Sequence, residues 1–211
     1  MTGPAPERIA LAPTREVRRW MVATQGVFFA ALAVCVAINA SLTAQNDGIS
    51  FYGVYGPTIA LVVVGYGTAA VGLWRVAAWF ARHGGPALLF LGARVVAVGL
   101  LLLLITPYDE GAFLNWSHMT VGVAVALFQL ASSAALVRRG ATLRHGLVFS
   151  LQLAGGIVAA ASLPDWHFPL LLVGETVYAL GYALSLYEWV DVVAPLGPGR
   201  LRSRDDVDQG A

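Results

Sequence analysis

An all-α polytopic membrane bundle of six transmembrane helices is the fold this sequence predicts, and three observations predict it. The chain is 58% hydrophobic and 12% charged, against about 45–50% and 25% in soluble domains, and its mean hydropathy is +0.71. Six apolar segments each have the ~20 residues needed to cross a hydrocarbon core about 30 Å thick. Finally, the thirteen basic residues are all arginines, and all but Arg94 cluster in the termini or at alternate connectors between those segments.

The segments follow in order. Residues 20–43 come after Arg8, Arg15, Arg18 and Arg19, and the run exceeds the 7 to 15 apolar residues of a signal peptide, so it reads as a retained anchor. Cys35, the single cysteine, lies within it; one thiol excludes an intramolecular disulfide and a cysteine metal cluster. Residues 57–81 end among Arg75 and Arg82. A tight turn, Arg82-His83-Gly84-Gly85-Pro86, leads into 86–105, with Pro86 suited to the start of a helix. Residues 118–137 stop at Arg138 and Arg139, 145–163 start after Arg144, and 168–190 precede Arg200, Arg202 and Arg204. No segment alternates as a barrel strand would, and a backbone in lipid must satisfy its own hydrogen bonds, so each span is expected to be helical.

Six spans put every arginine cluster on one face of the membrane, and the positive-inside rule makes that face cytoplasmic. The expected organisation is a cytoplasmic N-terminal tail (1–19), a transmembrane domain (20–190) and a cytoplasmic C-terminal tail (191–211) in a bacterial plasma membrane. Residues 1–13 and 195–211, proline-bearing and without apolar periodicity, are expected to be mobile. The opposite connectors carry Asp47, Asp109, Glu110 and Asp165, with Phe51, Tyr52, Tyr55, Tyr108, Trp116 and Trp166 as an aromatic belt. Short loops leave no room for a soluble domain. Expected partners are membrane lipids and a second copy or another membrane protein, with no nucleic acid.

Small and polar residues should mark the faces on which helices meet in lipid. Gln152, Gly155, Ala159 and Ser162 share one such face; His118, Gly122, Val125, Gln129 and Ser132 another; Glu175, Tyr178, Tyr182 and Ser185 a third. Two charges lie deeper. Arg94 and Glu175 sit well inside their spans, where an ionisable group costs about 2.5 to more than 10 kcal/mol, and depth counting predicts that they approach each other as an intramembrane polar pair. Such a pair either neutralises itself or serves a proton or anion path. At the arginine side, His83 and His145 are expected near lipid phosphates, and Glu188 and Asp191 near arginines.

Chemistry-bearing side chains otherwise gather at the ends away from the arginines: Asn39, Gln45, Asn46, Asp47 and Ser50 in one connector, Asp109, Glu110, Asn115, Ser117 and His118 in the next, Asp165 and His167 in the last. His118, Asp47, Asp109, Asp165 and His167 are the candidates for metal ligation or acid/base work, because zinc sites draw on histidine and carboxylate. Their spacing matches no metalloenzyme or nucleophile-elbow motif, and a helix-start or interfacial role is the simplest reading of His118.

Gly48-Ile49-Ser50-Phe51-Tyr52-Gly53, Thr106-Pro107-Tyr108 and Asn115-Trp116-Ser117-His118-Met119 together resemble an uncharacterised group of bacterial six-span integral membrane proteins. A looser similarity is to the Frag1/DRAM/Sfk1 membrane proteins, although Ile49-Ser50 here continues as Phe-Tyr-Gly rather than acidic-Thr-Gly. The resemblance implies a six-helix bundle and supplies no catalytic residue. The leading expectation is a non-enzymatic binding, scaffolding or lipid-interacting bundle without a cofactor. The alternative is a zinc-dependent lipid hydrolase at the outer face. A third reading is a small proton-coupled transporter using Arg94, Glu175, Gln129 and Gln152.

Overall fold

The computed structural model describes residues 6–140, 142–163 and 169–194. Within them the chain forms eight helices and no strand. These are α1 (Pro6–Ile38), α2 (Leu42–Asp47), α3 (Ile49–Val54), α4 (Ile59–Arg82), α5 (Ala87–Ile105), α6 (Ala112–Gly140), α7 (Leu143–Ala161) and α8 (Leu171–Val193).

Five of these helices are long and apolar enough to cross a membrane: α1 over Thr14–Ile38, α4, α5, α6 and α7. Their flanks expose large apolar side chains, such as Val123 at 55%, Leu127 at 61% and Ile157 at 61%. A soluble monomer rarely exposes so much contiguous apolar surface. The helices are thus consistent with a multi-pass integral membrane protein. The sixth expected segment is also a helix, α8, and its 23 residues would reach about 34 Å. Its Glu175, Glu188 and Asp191 make it more polar than the five.

That polarity is accommodated because α8 packs against five other helices, more than any other element. The long helices pack in chain order, α1 on α4, α4 on α5, α5 on α6 and α6 on α7, while α8 lies along α7 and also meets α1, α2, α3 and α6. Glycines permit the tightest contact. A Cβ on Gly181 would stand 2.6 Å from Gln152 Cα, and one on Gly155 would stand 2.8 Å from the Gly174 carbonyl oxygen. Backbones meet where side chains vanish, as expected where packing rather than hydrophobicity holds helices together. Gln152 and Gly155 of the expected α7 face are buried accordingly.

Two cores result. One joins Val17, Met21, Val76, Phe80, Leu186 and Trp189, among others, towards the end that carries the arginines. The other joins Phe28, Cys35, Ala44, Tyr52, Tyr66 and Leu172 under α2 and α3. These two short helices form a cap over one end of the bundle.

The structure changes several expectations. Helix α1 begins at Pro6, so part of the expected tail 1–19 is helical. The connector after α1 is helical too: Ser41 accepts the Ala44 N–H and starts α2, and Gly48, at φ 71° and ψ −156°, joins α2 to α3. Tyr52, expected in an interfacial belt, is wholly buried and donates its hydroxyl to the Asn39 carbonyl at 2.8 Å. His145 is buried beside Glu188 rather than free to meet lipid phosphate. Asp165, Trp166, His167, Arg200, Arg202 and Arg204 lie outside the described residues.

Candidate functional site at the cap end

The cap is seated by Glu175. Its Oε2 accepts the Ile49 N–H, the first of α3, at 2.7 Å, and its carboxylate lies against Gly48, where a Cβ would collide with it. Only glycine meets both demands there, since the positive φ disfavours a side chain and the carboxylate leaves no room for one.

Among the described residues Glu175 and Arg94, expected to approach each other directly or through water, make no direct ion pair. The Arg94 guanidinium instead lies over Trp74, 5.5 Å from the ring centroid, and near Phe90, at 6.0 Å. At 1.5 Å per residue, Glu175 is about 6 Å from the cap-end start of α8, whereas Arg94 is about 16 Å from the cap-end terminus of α5. Counting alone leaves about 10 Å between them, and the local contacts of each charge decide where it settles. For a cation in an apolar wall that contact is an aromatic face.

Beside the Glu175 clamp, α3 meets the start of α6. His118 Nδ1 lies 2.6 Å from the Thr106 carbonyl oxygen, and His118 Nε2 lies 2.7 Å from Ser50 Oγ. A carbonyl only accepts, so in the neutral ring Nδ1 carries the proton and Nε2 accepts from the Ser50 hydroxyl. The two contacts fix the ring's tautomer and its orientation together. Ser50 and His118 are each half-buried.

Tyr108 closes the side of this site. Its ring centroid is 6.1 Å from that of His118, and its hydroxyl donates to Asp47 Oδ2 at 2.9 Å. Burial first, then that hydrogen bond and the negative charges of Asp47 and Asp109, raise the Tyr108 phenol well above its ordinary range. A cleft of about 20 Å³ runs between Ser50, His118 and Tyr108 on its polar side and Val62, Leu103 and Leu104 on its apolar side. That is room for one water, which needs about 10–15 Å³, and not for an acyl chain. Around the cleft's end of the bundle Leu42, Ile105, Phe113 and Trp116 are 69–81% exposed.

Of the five candidate residues, the structure brings His118 and Asp47 to this site, joined through Tyr108, and leaves Asp109 exposed beside it. Asp165 and His167 fall outside the described residues. Among the described residues no three of histidine, cysteine, aspartate or glutamate converge, and both His118 nitrogens are already engaged. The important partner missed by sequence reasoning is Ser50, which stands among the polar residues of its connector without any spacing that links it to position 118. The three stretches carrying the family resemblance do, however, meet here: Ser50 from the first, Thr106 and Tyr108 from the second, His118 from the third.

No family model, curated protein or solved structure matches the chain.

Proposed function

We propose that the chain is a six-span plasma-membrane protein, with α8 as the sixth span and both termini in the cytoplasm, that binds an amphiphile from the outer leaflet at its cap end. The observation that carries this reading is the pairing of Ser50 and His118 at the mouth of an apolar-walled cleft. A lipid presents the complementary chemistry, an ester or headgroup oxygen joined to a chain. Phe113 and Trp116, 81% and 73% exposed, suit the interface where aromatic rings settle, which supports a headgroup-level site. The arginine clusters supply the orientation. A lipid-interacting bundle is favoured over a zinc hydrolase because His118 would have to surrender Ser50 or Thr106 to ligate a metal. It is favoured over a proton carrier because Arg94 and Glu175 have separate partners.

Photo-crosslinking tests the reading. Protein in nanodiscs of a phospholipid with a photoactivatable acyl chain is irradiated, digested and mapped by mass spectrometry. The expected result is crosslinks concentrated on α3, the end of α5 and the start of α6. Crosslinks spread evenly along the lipid-facing flanks would remove the proposed site.

A further inference from the structure

We infer that Ser50 is a nucleophile activated by His118, so that the cap end performs acyl transfer on an ester, with a lipid acyl ester as the substrate class. The substrate class rests on the lipid-binding reading above, whereas the chemistry rests on the geometry of the pair.

A serine hydroxyl is a weak nucleophile unless an adjacent base takes its proton, and the base works only when a third group holds it in the right tautomer. All three parts are present. Ser50 Oγ is 2.7 Å from His118 Nε2, and the Thr106 carbonyl holds the other ring nitrogen at 2.6 Å. The serine and its base come from different helices, α3 and α6, and the orienting carbonyl comes from the end of α5. Packing also explains little of the contact: both side chains are half-buried, so water could satisfy either one at little net cost. The clamp at Glu175 fixes α3 only one residue before Ser50. That rigid support is what a nucleophile needs and what a surface hydroxyl lacks.

The proposed reaction balances. Ser50 Oγ bonds to the ester carbonyl carbon as its proton passes to His118 Nε2. The bond from that carbon to the alcohol oxygen then breaks, and His118 returns the proton to the departing alkoxide, leaving the acyl group on Ser50. A water next gives a proton to His118 and adds its oxygen to the acyl carbon. Ser50 Oγ leaves with that proton, releasing a carboxylic acid. The cleft of about 20 Å³ beside both residues accommodates this water, while the ester approaches from the exposed side of the pair.

A long-chain fluorophosphonate probe, which traps activated serines covalently, tests the inference on the full chain in nanodiscs. The expected result is one adduct on the wild-type protein, on the peptide containing Ser50. It should be absent in Ser50→Ala and formed at least ~100-fold more slowly in His118→Gln, the range a general base contributes. An unlabelled wild-type protein would overturn the inference, as would labelling unchanged in either variant. The wild-type result decides even if a variant fails to fold. Lipid crosslinks at the cap end without probe labelling would sink the nucleophile and leave the lipid reading intact. Labelling with dispersed crosslinks would keep the nucleophile and remove the lipid ester as its substrate.

Discussion

The two ends of the bundle are held by different chemistry. At the arginine end, side chains carry the contacts: Arg144 pairs with Glu188 at 2.7 Å, Arg18 pairs with Asp191, and Arg75 lies 3.9 Å over the Trp20 ring. Trp189, wholly buried, donates to the Ser132 carbonyl at 3.0 Å. At the cap end backbone groups join in, with Ile49 N–H on Glu175, Tyr52 on the Asn39 carbonyl and His118 on the Thr106 carbonyl, beside the side-chain pairs Ser50–His118 and Tyr108–Asp47. The difference teaches where function can reside. The arginine end ties α1, α4, α6, α7 and α8 together with charges and rings set against one another. The cap end holds its short helices by main-chain contacts and leaves a hydroxyl and an imidazole facing each other at an accessible edge.

The cap depends most heavily on Gly48. Gly48→Ala combines a φ of 71° with a collision against Glu175, and should destabilise the cap by about 3 kcal/mol. Hydrogen exchange should then rise across α2 and α3 while α7 and α8 stay protected. Exchange that rises equally in all helices would mean that the cap is not a separate unit.

Arg144→Ala comes next, at about 2 kcal/mol, because it leaves Glu188, 5% exposed, without its cation. The loss is moderated by the exposure of Arg144 itself. Thermal unfolding in detergent should show the whole bundle weakened, with cap exchange unchanged relative to the rest. Glu188→Gln should cost less than Arg144→Ala, since it removes the buried charge together with the pair. The reverse order would place the main stabilisation elsewhere.

Glu175→Gln should cost about 1 kcal/mol, because an amide oxygen still accepts from Ile49 but without the gain of a charged acceptor. Ile49 amide exchange is the readout, expected to rise several-fold. Tyr108→Phe should be mildest, within about 1 kcal/mol, as the Asp47 carboxylate it releases is half-exposed and water replaces the phenol. For wild type, the raised Tyr108 phenol favours the folded state fully below the ordinary tyrosine range, and that contribution is lost as pH climbs above about 10. The Phe variant should lack this part of the alkaline loss.

The long helices were legible because about 20 apolar residues in lipid have few alternatives to a helix. The cap was not. Leu42–Asp47 and Ile49–Val54 are helices of 6 residues each, too short to persist by propensity, and the second relies on Glu175, 126 positions away. The contacts of Arg94 and Glu175 were hidden for a related reason: residue depth can be counted along a chain, whereas the nearest aromatic ring or free N–H depends on tertiary packing. His118 was legible as an ionisable residue at a helix start. Its partners were not, one being a serine 68 positions away and the other a main-chain carbonyl, which no side-chain motif encodes.

The central claim is that the cap end is the outward-facing, working end, and cysteine accessibility tests it most directly. In a Cys35→Ala background, Asn46→Cys and Ala87→Cys place single thiols on exposed positions at the cap and arginine ends. A membrane-impermeant maleimide applied to intact cells should label position 46 and reach position 87 only after permeabilisation. Labelling of 87 from outside, with 46 protected, would put the arginine end outside and the cap end in the cytoplasm.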